Sequence, residues 1–451
     1  MAGLSRGELA RKLVHVAVGG LAFAVRPLGP VGSALAAVAA IVHNAFLLPL
    51  YGGRRLWRAG EAERGYALGI VLYPITVLLL VLLFWKRLEV AAATWGILAF
   101  GDGMAAIFGQ ALGRSNPLPW NPRKSWAGTL AYLVFGGAGA FALLQWTAPG
   151  AYGTAFALAI ACATAAFAAA LESLPQGLDD NFGVPLVAGL LLYCLTWSQG
   201  GWASVGTPEF LRALGLGLAV NVVLAAAAVA ARGVGIAGAL VGTVLGTAIW
   251  AFGGPGAFAL LFAFFVIGTV ATKLGYERKL AAGIAQEKGG RRGPANALSK
   301  TTVPALAAVL AATTPYPTLF LLAVAGAFAT AASDTASSEV GKAFGRRTFL
   351  ITTLRPVPRG TEGAVSLEGT LAGVAASLVV GGLGAALGLY AFSGVAVVAL
   401  AALVATTLES VAGATLEKRG LLDNDSVNFL NSLAGALVAF GLGALLVAAA
   451  S

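Results

Sequence analysis

The sequence contains few charged residues, few histidines and almost no cysteine. Lysine, arginine, aspartate and glutamate make up 11% of the 451 residues, whereas soluble domains carry about 25%. So few charges cannot cover a water-facing globule, and a hydrophobic content of 58% excludes a disordered chain. The two cysteines, Cys162 and Cys194, lie in apolar runs, and with only two histidines they exclude a disulfide framework and a zinc site of the usual kind.

Long apolar runs fill most of the chain. About 15 of them approach the length of about 20 residues that an α-helix needs to cross a bilayer. The sequence therefore predicts an all-α polytopic membrane protein with about 15 transmembrane helices. The first residues, MAGLSRGELARKL, lack the apolar core and cleavage site of a signal peptide. The net charge of +10 indicates basic cytoplasmic loops rather than a nucleic-acid partner.

Basic residues alternate between the predicted loops. If the N-terminus is cytoplasmic, the cation-rich segments all fall on its side of the membrane: residues 54–64, 114–124, 273–292 and 342–359. The opposite loops are short and nearly uncharged, apart from Lys86 and Arg87. This pattern predicts an integral protein of a bacterial cytoplasmic membrane, with its candidate sites facing the cytoplasm.

The two halves of the chain repeat the same motifs in the same order. GDGMAAIFGQALGR from Gly101 matches SDTASSEVGKAFGR from Ser333, so Asp102 and Asp334 hold the same place. Three further matches follow: Gly128-Thr129 with Gly369-Thr370, Leu171-Glu172-Ser173 with Leu408-Glu409-Ser410, and Asp179-Asp180 with Asp423 and Asp425. This order indicates a duplication with domains at 1–198 and 209–451 and a linker near 199–208. An even number of predicted spans separates the two aspartates, which makes the repeat parallel.

Acidic residues are concentrated in these repeated blocks, which hold about half of the 19 in the chain. Ionisable groups at the ends of apolar spans are candidates for function, and helix caps are the alternative. A cap does not account for Asp102, which follows the apolar run ATWGILAFG. We therefore take Asp102 and Asp334 as candidate catalytic residues. Because Mg²⁺ prefers carboxylate oxygens, the candidate metal ligands are Asp102, Glu172, Asp180, Asp334, Glu339, Glu409, Asp423 and Asp425.

Cations, hydroxyls and glycines accompany these carboxylates, a combination that suits phosphate chemistry. Lys124 and Ser125 in NPRKSWAGT can supply a cation and a hydroxyl. Lys12, His15 and Gly19 share one helical face, on which His15 makes either a structural hydrogen bond or a contact with phosphate or a substrate hydroxyl. His15 and Lys124 join the catalytic candidates. The candidate phosphate-binding residues of the first half are Lys12, Gly109, Gly113, Arg114, Ser125, Gly128 and Thr129.

Longer motifs resemble two families of membrane kinases. RKLVHVAVGG, GDGMAAIFGQALG and NPRKSWAGTLA resemble the phytol kinase and dolichol kinase families, relatives of the phosphatidate cytidylyltransferases, over residues 1–198. GYERKLAAGIAQEKGGRRGPANALSK, ASDTASSEVG, TLRPVPRGTEGAVSLEGTLAG and LLDNDSVNFLN resemble the phytyl-phosphate kinase family over roughly 210–450. The resemblance implies a nucleotide, usually CTP, with Mg²⁺, and stepwise phosphorylation of an isoprenoid alcohol to its diphosphate. The residues themselves specify neither the base, the isoprenoid nor the oligomeric state.

Arginines are frequent around the second repeated block. An acceptor that already bears a phosphate needs more positive charge than an alcohol does, and the bias of basic residues toward cytoplasmic loops is the alternative explanation. The candidate nucleotide- or phosphate-binding residues of the second half are Arg291, Arg292, Asn296, Arg346, Arg355, Arg359, Gly369 and Thr370.

The leading interpretation is a bifunctional membrane kinase for an isoprenoid alcohol and its monophosphate. Asp102 either holds Mg²⁺ with Glu172 or Asp180 or acts as the base for the alcohol. In the second half, the metal role falls to Asp334 with Glu339 and Asp425. A CTP-dependent cytidylyltransferase that makes a CDP-activated lipid is one alternative. A secondary transporter is another, although transporter sites commonly lie at the midplane of inverted repeats.

Overall fold

The computed structural model describes residues 6–51, 68–113, 116–175, 180–231, 233–286 and 293–450. The chain divides into two compact units, residues 1–199 and 200–451, and each is described by itself. Within the described ranges, ten helices are long and apolar enough to cross a membrane. The predicted class, an all-α polytopic membrane protein, is confirmed.

In its described residues, the first unit contains eight α-helices. They are α1 (Arg6–Gly19), α2 (Val25–Val42), α3 (Leu68–Leu83), α4 (Leu88–Gly96), α5 (Gly103–Leu112), α6 (Trp126–Thr147), α7 (Thr154–Ser173) and α8 (Gly183–Thr196). A π-helical segment, Ile97–Asp102, joins α4 to α5, so the backbone is irregular where the conspicuous aspartate lies. Such π-helical segments are frequent at functional sites.

The second unit is built around one buried helix. Its helices are α9 (Pro208–Ala230), α10 (Ile236–Lys273), α11 (Tyr276–Ala281), α12 (Pro294–Thr313), α13 (Pro317–Phe344), α14 (Leu367–Ala386), α15 (Gly394–Ala412) and α16 (Asn424–Ala450). In the most apolar stretch of α13, 83% of the residues are buried, whereas in that of α9 only 11% are buried. Alanines and glycines allow the neighbouring helices to approach α13 closely, and the hydrophobic core forms along it.

Two apolar stretches are broken by a Gly-Pro pair. Gly254, before Pro255, has φ 76° inside the 38 residues of α10, and Gly29, before Pro30, has φ 63° inside α2. A straight helix of 38 residues, the length of α10, would measure about 57 Å, far more than one bilayer crossing requires. Helix length alone therefore does not fix the number of crossings, and the count of 15 stays a prediction.

A short hairpin precedes the same helix in each unit. β1 (Pro117–Leu118) pairs antiparallel with β2 (Asn121–Ser125) before α6, and β3 (Thr348–Leu350) pairs antiparallel with β4 (Ala364–Ser366) before α14. Both second strands end in a serine that caps the next helix. Ser125 Oγ accepts from Gly128 N at 3.2 Å, and Ser366 Oγ accepts from Gly369 N at 3.1 Å.

Candidate active sites

Asp102 forms a part-buried ion pair with the first helix. Its Oδ2 atom accepts a hydrogen bond from Lys12 Nζ at 2.8 Å and lies 3.5 Å from His15 Nε2. His15 Nε2 is also 3.2 Å from the carbonyl oxygen of Leu98, so a structural hydrogen bond and a contact with Asp102 coexist. A side chain at Gly19 would collide with Ala99. One face of α1 thus packs against the π-helical segment that carries Asp102.

Lys124 holds two further carboxylates together. Its Nζ atom donates to Glu172 and, at 3.1 Å, to Asp180 Oδ2. Burial lowers the pKa of Lys124, but the two carboxylates raise it more, to about 12, so this lysine remains a cation at neutral pH. Asp102 also interacts electrostatically with Lys124. The charged neighbourhood therefore brings together six of the predicted residues: Lys12, His15, Asp102, Lys124, Glu172 and Asp180.

Tyr132 belongs to this neighbourhood, although sequence reasoning missed it. The side chain is buried, and its phenol interacts electrostatically with Glu172, Asp102 and Asp180. A methyl group at Gly101 would lie 2.9 Å from the ring, so the glycine before Asp102 makes room for the tyrosine. The only signal in the sequence is a tyrosine one turn after Gly128, inside an otherwise apolar helix.

The glycines of the first unit serve helix packing. A Cβ at Gly128 would lie 3.0 Å from the carbonyl oxygen of Ala105 and 3.3 Å from Gly109 Cα, and one at Gly113 would collide with Ser125. Thr129 Oγ1 donates to the carbonyl of Ser125 at 3.1 Å. Close contact between α5 and α6 accounts for these residues, and their role in phosphate binding stays a prediction.

Asp334 forms the corresponding ion pair in the second unit. Its Oδ2 atom accepts from Lys300 Nζ at 2.8 Å, and the same Nζ is 3.2 Å from Thr335 Oγ1. Lys300 lies six residues into α12 and is 8% exposed. Sequence reasoning missed it. The available signal was a lone lysine in ALSKTTVPALAA, near the start of a helix as Lys12 is.

Further carboxylates surround this pair. Glu409 interacts electrostatically with Asp334 and Lys300, and Asp425 interacts with Lys300 and Asp423. Asp423 has a local structural role, because its Oδ1 atom accepts from Ser426 N at 2.8 Å in the first turn of α16. Asp423 therefore caps a helix, and its role as a metal ligand stays a prediction.

Glu339 is paired with a lysine that sequence reasoning also missed. Lys279 Nζ donates to Glu339 and, at 2.7 Å, to the carbonyl of Thr272, and both side chains of the ion pair are 0% exposed. The other carboxylate oxygen, Glu339 Oε1, is buried without a hydrogen-bond partner in the described part of the chain. This pair links α11 to α13.

Within the described residues, the other residues predicted from the second half make no hydrogen bond or ion pair with Asp334. Asn296 accepts from Ser299 through its carbonyl at 3.2 Å, Gly369 lies in the first turn of α14, and Thr370 is exposed there. Arg346 and Arg359 line a separate cleft, and Arg355 is exposed. Four residues singled out from the sequence lie outside the described residues: Arg114, Asp179, Arg291 and Arg292.

The donor set is compatible with Mg²⁺ that arrives with a nucleotide. Among the described residues, histidine, cysteine, aspartate and glutamate form no group of three or more that could hold a metal ion by themselves. Mg²⁺ commonly takes only one or two carboxylates and completes its shell with phosphate oxygens and water. Asp102 and Asp334, each beside a second carboxylate, offer such a partial set.

Comparison with known proteins relates the chain to membrane proteins. Residues 219–436 match the family described as integral membrane protein DUF92. An uncharacterized membrane protein of Synechocystis, sll0875, is 48% identical over 202 residues, which are 44% of this chain and 78% of that protein. Protein VTE6, chloroplastic, of Arabidopsis thaliana is 42% identical over 214 residues, 46% of this chain and 64% of that protein.

Phytol kinase 1, chloroplastic, of Arabidopsis thaliana is 31% identical over 208 residues, which are 41% of this chain and 66% of that protein. The matches thus leave about a third of each of the two plant proteins uncovered. No solved structure matches the chain. On the strength of these similarities, the chain belongs to the DUF92 family of integral membrane proteins.

Proposed function

We infer that the protein is a bifunctional isoprenoid kinase. The first unit phosphorylates an isoprenoid alcohol and the second converts the prenyl monophosphate to the diphosphate. The observation that carries this proposal is a part-buried Lys–Asp pair at the equivalent aspartate of each unit, Lys12–Asp102 and Lys300–Asp334. The similarity to a phytol kinase supports the same class of reaction.

In the first unit, transfer joins the alcohol oxygen to the terminal phosphorus of the nucleotide and breaks the bond from that phosphorus to the leaving nucleoside diphosphate. Lys12 and Lys124 neutralise the charge of the phosphates, with Arg114 as a further cation. Asp102 has two possible roles. It accepts the proton of the alcohol, or it helps to hold Mg²⁺ while the proton leaves to His15 or solvent.

In the second unit, the acceptor is itself an anion. Lys300 is the cation beside Asp334, and Arg291, Arg292 and Arg355 are the proposed phosphate ligands from the cation-rich segments. Val365 stands where the first unit has Lys124, so the chain has no counterpart of that lysine here, and Glu409 interacts with Lys300 instead. When bound, Mg²⁺ would supply the charge that brings two anions together, held by Asp334 with Glu409 or Asp425.

The cytoplasmic orientation of the second unit is tested by labelling. In a variant with Cys162 and Cys194 replaced by alanine, we expect Phe392→Cys to react with an impermeant thiol reagent added to intact cells. Phe392 is 82% exposed between α14 and α15. Lys418→Cys, exposed beyond the other end of α15, should react only after permeabilisation. Labelling of Lys418→Cys in intact cells would contradict the predicted orientation, because it would place this end of α15 outside the cell, away from cellular nucleotide.

Lys300 is expected to be needed for the second step alone. Lys300→Gln should lower the rate of monophosphate phosphorylation about 100-fold, because a cation next to the reacting phosphates is lost. Lys300→Arg should restore part of that rate. Lys342→Gln, which removes a lysine from α13 that has no recorded ion pair in the described residues, is the matched control. Equal effects of Lys300→Gln and Lys342→Gln would show that the Lys300–Asp334 pair has no specific role in the reaction.

Product analysis decides between the proposal and its main alternative. The purified full chain receives CTP labelled in its terminal phosphate, Mg²⁺ and a panel of prenyl alcohols and monophosphates. A kinase transfers the label to the lipid and releases CDP. A cytidylyltransferase releases labelled pyrophosphate and leaves a CDP-lipid. Repeating the assay with ATP identifies the nucleotide.

A further inference from the structure

A cleft in the second unit collects three arginines. It has a volume of about 490 Å³ and lies at the end of α13, and its lining residues are Arg278, Arg346, Arg359, Glu368, Ala343 and Phe344. The three arginines come from three separate segments of the chain, α11, the residues after α13 and the β3–β4 connection. Their convergence is therefore a product of tertiary packing.

Close contacts hold each of these segments in place. The guanidinium of Arg278 lies 5.2 Å from the ring centroid of Phe344. The next residue, Lys279, fixes α11 through the buried ion pair with Glu339. Gly275, with φ 62°, brings the start of α11 against Ala343, where a Cβ would lie 2.8 Å from that side chain. Gly360, with φ 82°, follows Arg359 and packs against Ile284, where a Cβ would lie 2.8 Å from that side chain.

The three arginines of the cleft outnumber its one lining carboxylate, so the cleft carries a net positive charge. One carboxylate, Glu368, lines it and accepts from the backbone N of Arg346 at 3.2 Å. In the part of the chain that the structure describes, none of the three arginine side chains takes part in an ion pair. Guanidinium groups match phosphate oxygens in a planar, two-pronged geometry. Three of them around one cleft indicate an anionic ligand.

The position of the cleft indicates where that anion comes from. Two apolar helices meet there, because α13 ends at Phe344 and α14 begins at Leu367. Leu367 and Leu371 are 72% and 58% exposed, as expected of side chains that face lipid. Ala343 is nine residues beyond Asp334, or about 14 Å along the helix. The cleft is thus separate from the proposed phosphoryl-transfer site. It lies at the ends of two apolar helices, where we expect the membrane–water interface.

We propose that this cleft binds the phosphate of an anionic membrane-lipid headgroup. Basic pockets between membrane helices are suited to such headgroups, since the lipid phosphates lie at the depth where the helices end. The exposed leucines of α14 contact the acyl chains while the arginines contact the headgroup. The site does not depend on the kinase activity, and binding alone tests it.

The test measures binding of phosphatidylglycerol to the purified full chain in neutral detergent by native mass spectrometry. We expect Arg346→Gln and Arg359→Gln each to weaken binding about tenfold or more, as for the loss of one charge-assisted contact. Arg347→Gln is the matched control, because it removes the same charge from an exposed neighbour that does not line the cleft. The unfolding temperature of each variant without lipid serves as the folding check.

Two competitors distinguish the sources of phosphate. Inorganic phosphate and phosphatidylcholine should not displace phosphatidylglycerol at equal concentration. Displacement by inorganic phosphate would overturn the lipid assignment in favour of a soluble anion. If Arg346→Gln and Arg347→Gln weaken phosphatidylglycerol binding equally, the lipid is attracted by the overall positive charge and the cleft is not its binding site. Failure of the unmodified chain to bind phosphatidylglycerol would overturn the proposal outright.

Discussion

Asp102→Asn is expected to abolish phosphorylation of the alcohol and leave conversion of the monophosphate intact. The substitution preserves the shape of the side chain but removes the charge that pairs with Lys12 at 2.8 Å. Either proposed role of Asp102, base or metal ligand, requires the carboxylate. The loss of one such transition-state contact lowers a rate typically by about 100-fold or more. Purified protein, labelled nucleotide and separate supplies of alcohol and monophosphate provide the measurement.

Asp334→Asn is the reciprocal variant and the control for the first. It should let monophosphate accumulate from the alcohol, because Lys300 loses its partner only in the second unit. Both variants carry the same chemical change at equivalent places, so unspecific damage would affect them alike. Loss of both steps from either substitution would mean that the two units form one composite site.

Glu339→Gln and Lys279→Met are each expected to destabilise the protein strongly. Both side chains are fully buried, and removing one leaves an uncompensated charge in the interior. Breaking a buried ion pair in this way lowers the free energy of unfolding by about 3–5 kcal/mol. The measurement is denaturant or thermal unfolding of the purified chain. Lys273→Met, at the exposed lysine that ends α10, should lower the free energy of unfolding far less.

A double variant separates a structural role of Glu339 from the metal role predicted for it. Lys279→Met combined with Glu339→Leu removes both charges and should recover much of the lost stability, since apolar replacements of buried pairs are often tolerated. If Glu339 binds metal instead, Glu339→Gln should impair the second step without lowering the unfolding temperature, and the double variant should remain inactive.

The sequence predicted the class of fold and one helix face because both depend on local patterns. Apolar runs of bilayer length require helices whatever their packing. Lys12, His15 and Gly19 lie on one face because steps of three and four residues do so in any helix. The structure places that face against the segment that ends at Asp102.

The partners of the second unit were not predictable in the same way. Lys300 and Lys279 meet Asp334 and Glu339 across 34 and 60 residues of chain. Such pairs depend on which helices become neighbours, and no periodicity encodes that choice. The arginines were grouped around one site by proximity in sequence, and their role in phosphate binding stays a prediction. Packing places Arg346 and Arg359 in a cleft at the C-terminal end of α13, which sequence spacing does not encode.

The Lys279–Glu339 pair also has a consequence for biogenesis. Each charge would cost about 2.5–3.5 kcal/mol if it entered the bilayer alone on an isolated helix. Their helices leave the ribosome 60 residues apart, so the lysine is synthesised well before its partner. Lys279 therefore stays in a polar environment until α13 has been inserted. Only then can the lysine be buried against Glu339. Docking of α11 onto α13 therefore becomes a late step of assembly, which follows the insertion of α13.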